Sequence, residues 1–121
     1  TELSRASDAY SAAIVHATSL LKEFCRRFLQ GDELVIIVGD HQPCVELTGE
    51  DQPGSVPVHV ISRNRDVIGE FTRRGYTPGL VPDQRLPHPG LETLFWDLLE
   101  GFSSAQHVGE SSRAYGRCLS P

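Results

Sequence analysis

The stretch ELVIIVGDHQP, residues 33–43, decides how the fold of this chain is interpreted. Its five consecutive apolar residues, from Leu34 to Val38, do not alternate with polar ones, which is typical of a strand covered on both faces in a parallel sheet. A glycine, an acid and an imidazole follow the strand directly. The run therefore predicts an α/β fold with a mostly parallel sheet flanked by helices, and with polar side chains at the carboxyl end of a strand.

Three other segments have the apolar spacing of helices, and one has the alternation of a strand. Residues 7–29 carry an apolar side chain every three or four positions. A short helix is predicted to begin at Asp66, which we expect to be its N-cap, and a last amphipathic helix is predicted for residues 91–102. Residues 56–61 are rich in valine and predict the second strand. The sequence thus predicts two strands and three main helices.

Composition and charge exclude several classes of protein. The 121 residues, 39% of them hydrophobic, suit one domain with a modest core. Because 16 acidic residues outnumber 11 basic ones, nucleic acid is an unfavourable partner. No window approaches the roughly 20 apolar residues of a membrane span, and no signal peptide is recognisable. Cys25, Cys44 and Cys118 are odd in number and lack C-x-x-C spacing, which argues against a disulfide framework and leaves the compartment open.

The last segment of the chain differs in composition from the rest. After Phe102 the sequence becomes polar and rich in small residues, without apolar periodicity. Such a segment offers no apolar face that could pack against the domain. We therefore expect residues 1–102 to form the folded portion and residues 103–121 to be a disordered tail.

Asp40 and His41 are the candidate metal ligands. Ligands of open α/β sheets gather beyond the carboxyl ends of the strands, where these two residues are expected. A carboxylate and a neutral imidazole are both suitable ligands for zinc, and Gly39 would allow the backbone to turn so that adjacent residues share one ion. The alternative is a polar turn in which Asp40 caps the strand and His41 packs over it. His59 is a further candidate, although a histidine inside a strand is more commonly a hydrogen-bonded core or edge residue.

The segments LVIIVGDHQP, VPVHVISRN and RGYTPGLVP, followed by an amphipathic helix, resemble the last part of the catalytic domain of the alkaline phosphatase superfamily, in particular sulfatase-like hydrolases and transferases. The resemblance covers roughly residues 8–102. It implies that the chain is the C-terminal portion of a three-layer α/β/α domain and that Asp40 and His41 bind a divalent ion, zinc or manganese. It also implies a phosphate or sulfate ester as substrate and is compatible with membrane anchoring of the full-length protein.

The resemblance has a clear limit, because the nucleophile and the further metal ligands of that family would lie upstream of these residues. Cys44 does not replace the nucleophile, since its surroundings do not match the C-x-P-x-R pattern of sulfatases. The leading hypothesis is thus a fragment of a metal-dependent hydrolase or transferase, inactive in isolation, whose partner is the remainder of the catalytic domain. Two alternatives stay open: a non-catalytic α/β segment that binds a protein, and a small metal-binding module without chemistry.

Overall fold

In the computed structural model of the chain, which describes residues 1–103 and 113–120, one four-stranded sheet packs beside helices. The strands lie side by side in the order β1-β2-β4-β3, and every neighbouring pair is antiparallel. The strands are β1 (Leu34–Val38), β2 (Val56–Ser62), β3 (Thr77–Pro78) and β4 (Arg113–Leu119). The helices are α1 (Glu2–Phe28), α2 (Val45–Thr48), α3 (Arg65–Thr72) and α4 (Glu92–Phe102).

The prediction of a mostly parallel sheet is wrong. Strands β1 and β2 run in opposite directions, with Leu34 opposite Ser62 and Val38 opposite Val58. A parallel pair needs a crossover connection, usually a full helix, whereas the segment between these strands contains only the four-residue helix α2. The continuous apolar run of β1 correctly indicated a strand, but its residues are at most half-buried, with Val38 41% exposed, and the run carries no information about strand direction.

The segment predicted to be a tail contributes a strand to the middle of the sheet. Strand β4 pairs with β2 from Val56 opposite Leu119 to Ser62 opposite Arg113, and its other edge pairs with β3. Leu119 is fully buried. For this strand the expectation of disorder was therefore wrong, while residues 104–112 lie outside the described part of the chain.

The core lies between one face of the sheet and the helices α3 and α4. Alternate residues of β2 point into it, together with the buried faces of α3 and of the loop before β3. Phe71 is at its centre, with ring centroids 5.1 Å from Tyr76 and 5.8 Å from Phe102. The buried cluster comprises Val58, Val60, Val67, Ile68, Phe71, Tyr76 and Leu119, with Leu34, Ile36, Leu91, Leu94, Leu98 and Phe102 partly buried against it.

The N-cap of helix α3 lies two residues before the predicted one. Asn64, not Asp66, caps it: the Asn64 Oδ1 accepts from the backbone N–H groups of Asp66 and Val67 at 2.9 and 3.4 Å. Asn64 is fully buried, and its Nδ2 donates to Asp32 Oδ1 at 2.9 Å. This side chain therefore joins the start of α3 to the loop that precedes β1.

Asp97 is a buried acidic residue of α4. It is 7% exposed, and its Oδ2 has no hydrogen-bond partner among the described residues. The nearest cations are Arg74 Nε, 3.8 Å from Oδ1, and Arg117 Nη1, 4.0 Å from Oδ2. Burial raises the pKa of Asp97, and the two arginines at these distances only partly oppose the effect.

Helix α1 is capped but scarcely packed. Thr1 and Ser4 form a capping box at its start, and the helix ends at Phe28, before the buried Leu29. None of its residues is buried. No helix in residues 1–103, nor in the second described range, is both long and apolar enough to cross a membrane.

Candidate functional site

An open cleft of about 490 Å³ adjoins the end of β1, on the face of the sheet opposite the core. Its walls come from four places in the chain: the loop after β1, the outer face of β2 and β4, the Pro-rich loop after β3, and one face of α1. Asp40 and His41 stand at this cleft, and so does His59. The three residues selected from the sequence therefore border one cavity.

Gly39 positions the loop by close approach. Its N–H donates to Pro57 O at 3.0 Å, which continues the sheet one residue past β1. A Cβ at this position would lie 3.2 Å from Val56 Cβ and from Pro57 Cδ. The positive-φ residues of the described chain are Gly49, Gly75 and Gly79, so Gly39 does not adopt a left-handed conformation. A missing side chain, not a special dihedral, lets the chain leave the sheet here.

Asp40 and His41 point towards the same space. The Asp40 Oδ1 accepts from the His41 backbone N–H at 2.9 Å, and Oδ2 lies 3.4 Å from His41 Nε2. The side chains are 86% and 79% exposed. His41 Nδ1 is 2.8 Å from the carbonyl oxygen of Gln42, and because a carbonyl can only accept, Nδ1 carries the proton. The other ring nitrogen, Nε2, is left facing a carboxylate oxygen.

This arrangement fits two ligands of one ion. With bonds of about 2.0–2.1 Å at tetrahedral angles, the oxygen and nitrogen ligands of zinc stand about 3.3 Å apart, close to the separation of Oδ2 and Nε2. A histidine ligand also usually donates its second N–H to a carbonyl or carboxylate, as Nδ1 does to Gln42. If Nε2 is instead protonated, the same contact is an exposed ion pair, which contributes little to stability.

The pair is not a complete site by itself. Among residues 1–103 and 113–120 no group of three or more His, Cys, Asp or Glu side chains is placed to hold a metal ion. A structural zinc site has four protein ligands and a catalytic one has three. The described residues therefore present two ligands of such a site and not a complete set.

His59 is held by the opposite wall of the cleft. Its Nε2 donates to Leu80 O at 2.6 Å, which ties β2 to the loop after β3. The loop can close over the sheet because Gly116 of β4 lacks a side chain: a Cβ there would lie 3.1 Å from His59 Cδ2 and 3.2 Å from Pro82 Cγ. This bond gives His59 a structural role in closing the cleft, and no group of three possible metal ligands within residues 1–103 and 113–120 includes this histidine.

Ser55 and His88, which were not predicted as site residues from the sequence, also help to shape this cleft. Ser55 Oγ lies 2.7 Å from His88 Nδ1, and because His88 Nε2 donates to Gln84 O at 3.1 Å, the serine hydroxyl is the donor to Nδ1. The Gln42 side chain donates to Ser55 O. These bonds join the loop after β1 to residues 84–88. No local sequence pattern predicts these hydrogen bonds, because the partners are far apart in the chain.

The cysteines offer no nucleophile at the cleft. Cys118 borders it, but the residue is buried, and burial raises the pKa of its thiol and so keeps it protonated. Cys44 is exposed and stands at the N-cap of α2 without a side-chain cap bond.

Comparisons of the chain with protein families, with characterised proteins and with solved structures found no match.

Proposed function

We propose that the chain supplies Asp40 and His41 as two ligands of a divalent metal site in a hydrolase or transferase that acts on phosphate or sulfate esters. The observation that carries the proposal is the 3.4 Å separation of Asp40 Oδ2 and His41 Nε2, with the imidazole oriented by Gln42 O. The ester chemistry rests on the sequence resemblance. The remaining ligands and the nucleophile would come from another part of the polypeptide.

Each residue of the pair has a distinct task in this proposal. Asp40 contributes negative charge, which favours a dication over a neutral ligand, and its Oδ1 holds the turn through the His41 N–H. His41 contributes a neutral nitrogen whose direction is fixed by the bond from Nδ1. A bound divalent ion would supply Lewis acidity towards an ester oxygen. Zinc and manganese are the ions we expect.

Metal binding is measured first on the chain itself. Two ligands hold an ion only weakly, so zinc titration followed by NMR should shift the His41 ring signals with weak affinity and saturable behaviour. The buffer should be alkaline enough for the imidazole to be neutral. His16, an exposed histidine of α1, is the internal reference and should not respond. Equal response of both rings, or none from His41, would refute the site.

Catalysis is tested on the full-length protein. Asp40→Asn preserves the oxygen that accepts from the His41 N–H but removes the charge, so turnover of an aryl phosphate or sulfate and bound metal should both fall, with little loss of stability. His41→Ala should do the same. The matched control is Asp51→Asn, which removes an exposed carboxylate from the same β1–β2 connection. Unchanged turnover and metal content in both site variants would leave the pair as a polar turn.

One observation favours the alternative of a protein-binding segment. Helix α1 exposes its apolar side chains although it spans 27 residues. Exposed contiguous apolar surface marks an interaction site. This function does not compete for the same residues, because Asp40 and His41 lie outside the helix.

A further inference from the structure

Six of the eight large apolar side chains that α1 exposes follow a seven-residue repeat, and Val15 and Leu20 lie outside it. The six are between 38% and 58% exposed. In heptad notation they fall only at positions a and d, as do a serine and an alanine. Position a holds Ser7, Ile14, Leu21 and Phe28, and position d holds Leu3, Tyr10, Ala17 and Phe24.

This repeat has a structural meaning that a general amphipathic helix lacks. A helix that packs on a sheet of its own domain follows the 3.6-residue period, whereas a repeat of seven sustained along the whole helix is the pattern of helices that pair along their length. Because α1 buries none of its own residues, the described chain does not provide that partner. A helix in water also gains most of its stability from packing its apolar face.

The same repeat is complementary to itself when reversed. Laid antiparallel on a second copy, each a residue faces a d residue, and in every facing pair the two residue numbers add to 31. Two of the four layers set a small residue against a large one, so the side chains can interdigitate. The facing pairs are Leu3 with Phe28, Ser7 with Phe24, Tyr10 with Leu21, and Ile14 with Ala17.

Charge and size favour the same orientation. The first turns of α1 carry Glu2 and Asp8 against Arg5, while the last turns carry more bases than acids. An antiparallel pair brings these unlike ends together, and a parallel pair would place like ends side by side. Position e, beside the seam, holds only Ser4, Ser11, Thr18 and Cys25, whose small side chains allow two helices to approach closely.

We propose that α1 is a self-association helix, which pairs antiparallel with α1 of a second copy of this chain through its a and d residues. Tyr10 and Ile14 also border the cleft, so the second copy would lie beside Asp40 and His41. The pairing does not depend on the proposed metal chemistry.

Association is measured by sedimentation equilibrium of the chain. The wild type should be a dimer with a defined dissociation constant. Ile14→Asp should give a monomer, whereas Val15→Asp, which makes the same kind of change one position along at an exposed residue outside the seam, should remain dimeric. Leu21→Ala keeps a strong helix former and should raise the dissociation constant of the dimer about a hundredfold. The reason is that two symmetry-related leucine side chains are lost, each contributing about a factor of ten. Circular dichroism establishes that each variant is folded.

Orientation is tested by disulfide cross-linking of two single variants distinguished by mass. A mixture of Tyr10→Cys and Leu21→Cys should cross-link preferentially to each other, above the background of the wild-type cysteines. A monomeric wild type would overturn the proposal and assign this face to another part of the polypeptide or to a different protein. A dimer that survives Ile14→Asp would place the contact elsewhere, for example at the free edge of β1. Preferential linking of Tyr10→Cys to itself would overturn the antiparallel arrangement.

Discussion

Replacing Asn64 tests whether one buried side chain holds α3 and the loop before β1 together. Loss of an N-cap costs about 1 kcal/mol. Because Asn64 and Val67 are both buried, Asn64→Ala leaves the Val67 N–H without a partner and away from water, which adds about 1–2 kcal/mol. The bond to Asp32 is also lost. We expect Asn64→Ala to reduce the free energy of unfolding by about 3 kcal/mol and the Tm by roughly 10 °C.

Replacing Asn64 by aspartate separates its role as the cap of α3 from its bond to Asp32. Asn64→Asp keeps the oxygen that caps α3 but places a second carboxylate where Nδ2 stood, 2.9 Å from Asp32 Oδ1. The variant should be destabilised at neutral pH and recover as the pH falls, because the folded pair binds a proton more tightly than the unfolded chain. The double variant Asp32→Asn, Asn64→Asp reverses the direction of the bond and should regain most of the lost stability.

Urea unfolding followed by circular dichroism and by the fluorescence of Trp96 measures these differences. Thr1→Ala is the reference, because this N-cap of α1 is exposed and its N–H groups can reach water, so the cost should be about 0.5 kcal/mol. The reasoning fails if Asn64→Ala stays within about 0.5 kcal/mol of the wild type, the range of an ordinary surface substitution. It also fails if the double variant is no more stable than Asn64→Asp alone.

Three further predictions concern the buried acid and the cleft. Burial raises the pKa of Asp97, so the folded state binds the proton of this carboxyl more tightly than the unfolded chain does. The contribution of Asp97 to the free energy of unfolding therefore decreases as the pH rises from the unfolded pKa of 3.8. Asp97→Asn should flatten that part of the curve of unfolding free energy against pH. Gly116→Ala should destabilise by about 1–3 kcal/mol in urea unfolding because its Cβ would meet His59, while Gly54→Ala, with open space around it, should be neutral or slightly stabilising. His59→Gln should change the metal affinity of the full-length protein less than about tenfold, since the ring bonds the loop after β3 and belongs to no group of three possible ligands in the described residues. A larger loss measured by metal titration would make His59 a site residue.

The helices could be predicted from the sequence because their signal is local. The apolar periodicity of residues 7–29 and 91–102 agrees with α1 and α4 to within a few residues at most ends. Residues 2–6 were missed because they carry one large apolar side chain, and the cap that starts the helix is the less obvious Thr1. Asp66 was favoured as a cap for α3 by its residue type, although a buried asparagine two residues earlier does that work.

The sheet could be predicted only in part, because strand partners are far apart in sequence. Strand β4 contains a glycine, two arginines and a cysteine, and this composition does not predict a central strand. Its position depends on the paired edges of β2 and β3 and on the space left by Gly116 beneath the loop after β3. Such signals exist only once the chain has folded. The same limit explains the wrong strand direction inferred from β1.

Asp40 and His41 differ from the rest of the cleft in how they are positioned. Every bond that orients the pair comes from residues 40–42, so the stretch that suggested a metal site also contains the groups that give it geometry. The opposite wall depends on His59 and Cys118, which β2 and β4 bring together from distant parts of the sequence. A two-residue donor pair can therefore keep its shape while the surrounding cleft changes, but it cannot complete the coordination of an ion alone. Metal affinity should consequently depend on what covers this face of the sheet far more than on the loop itself.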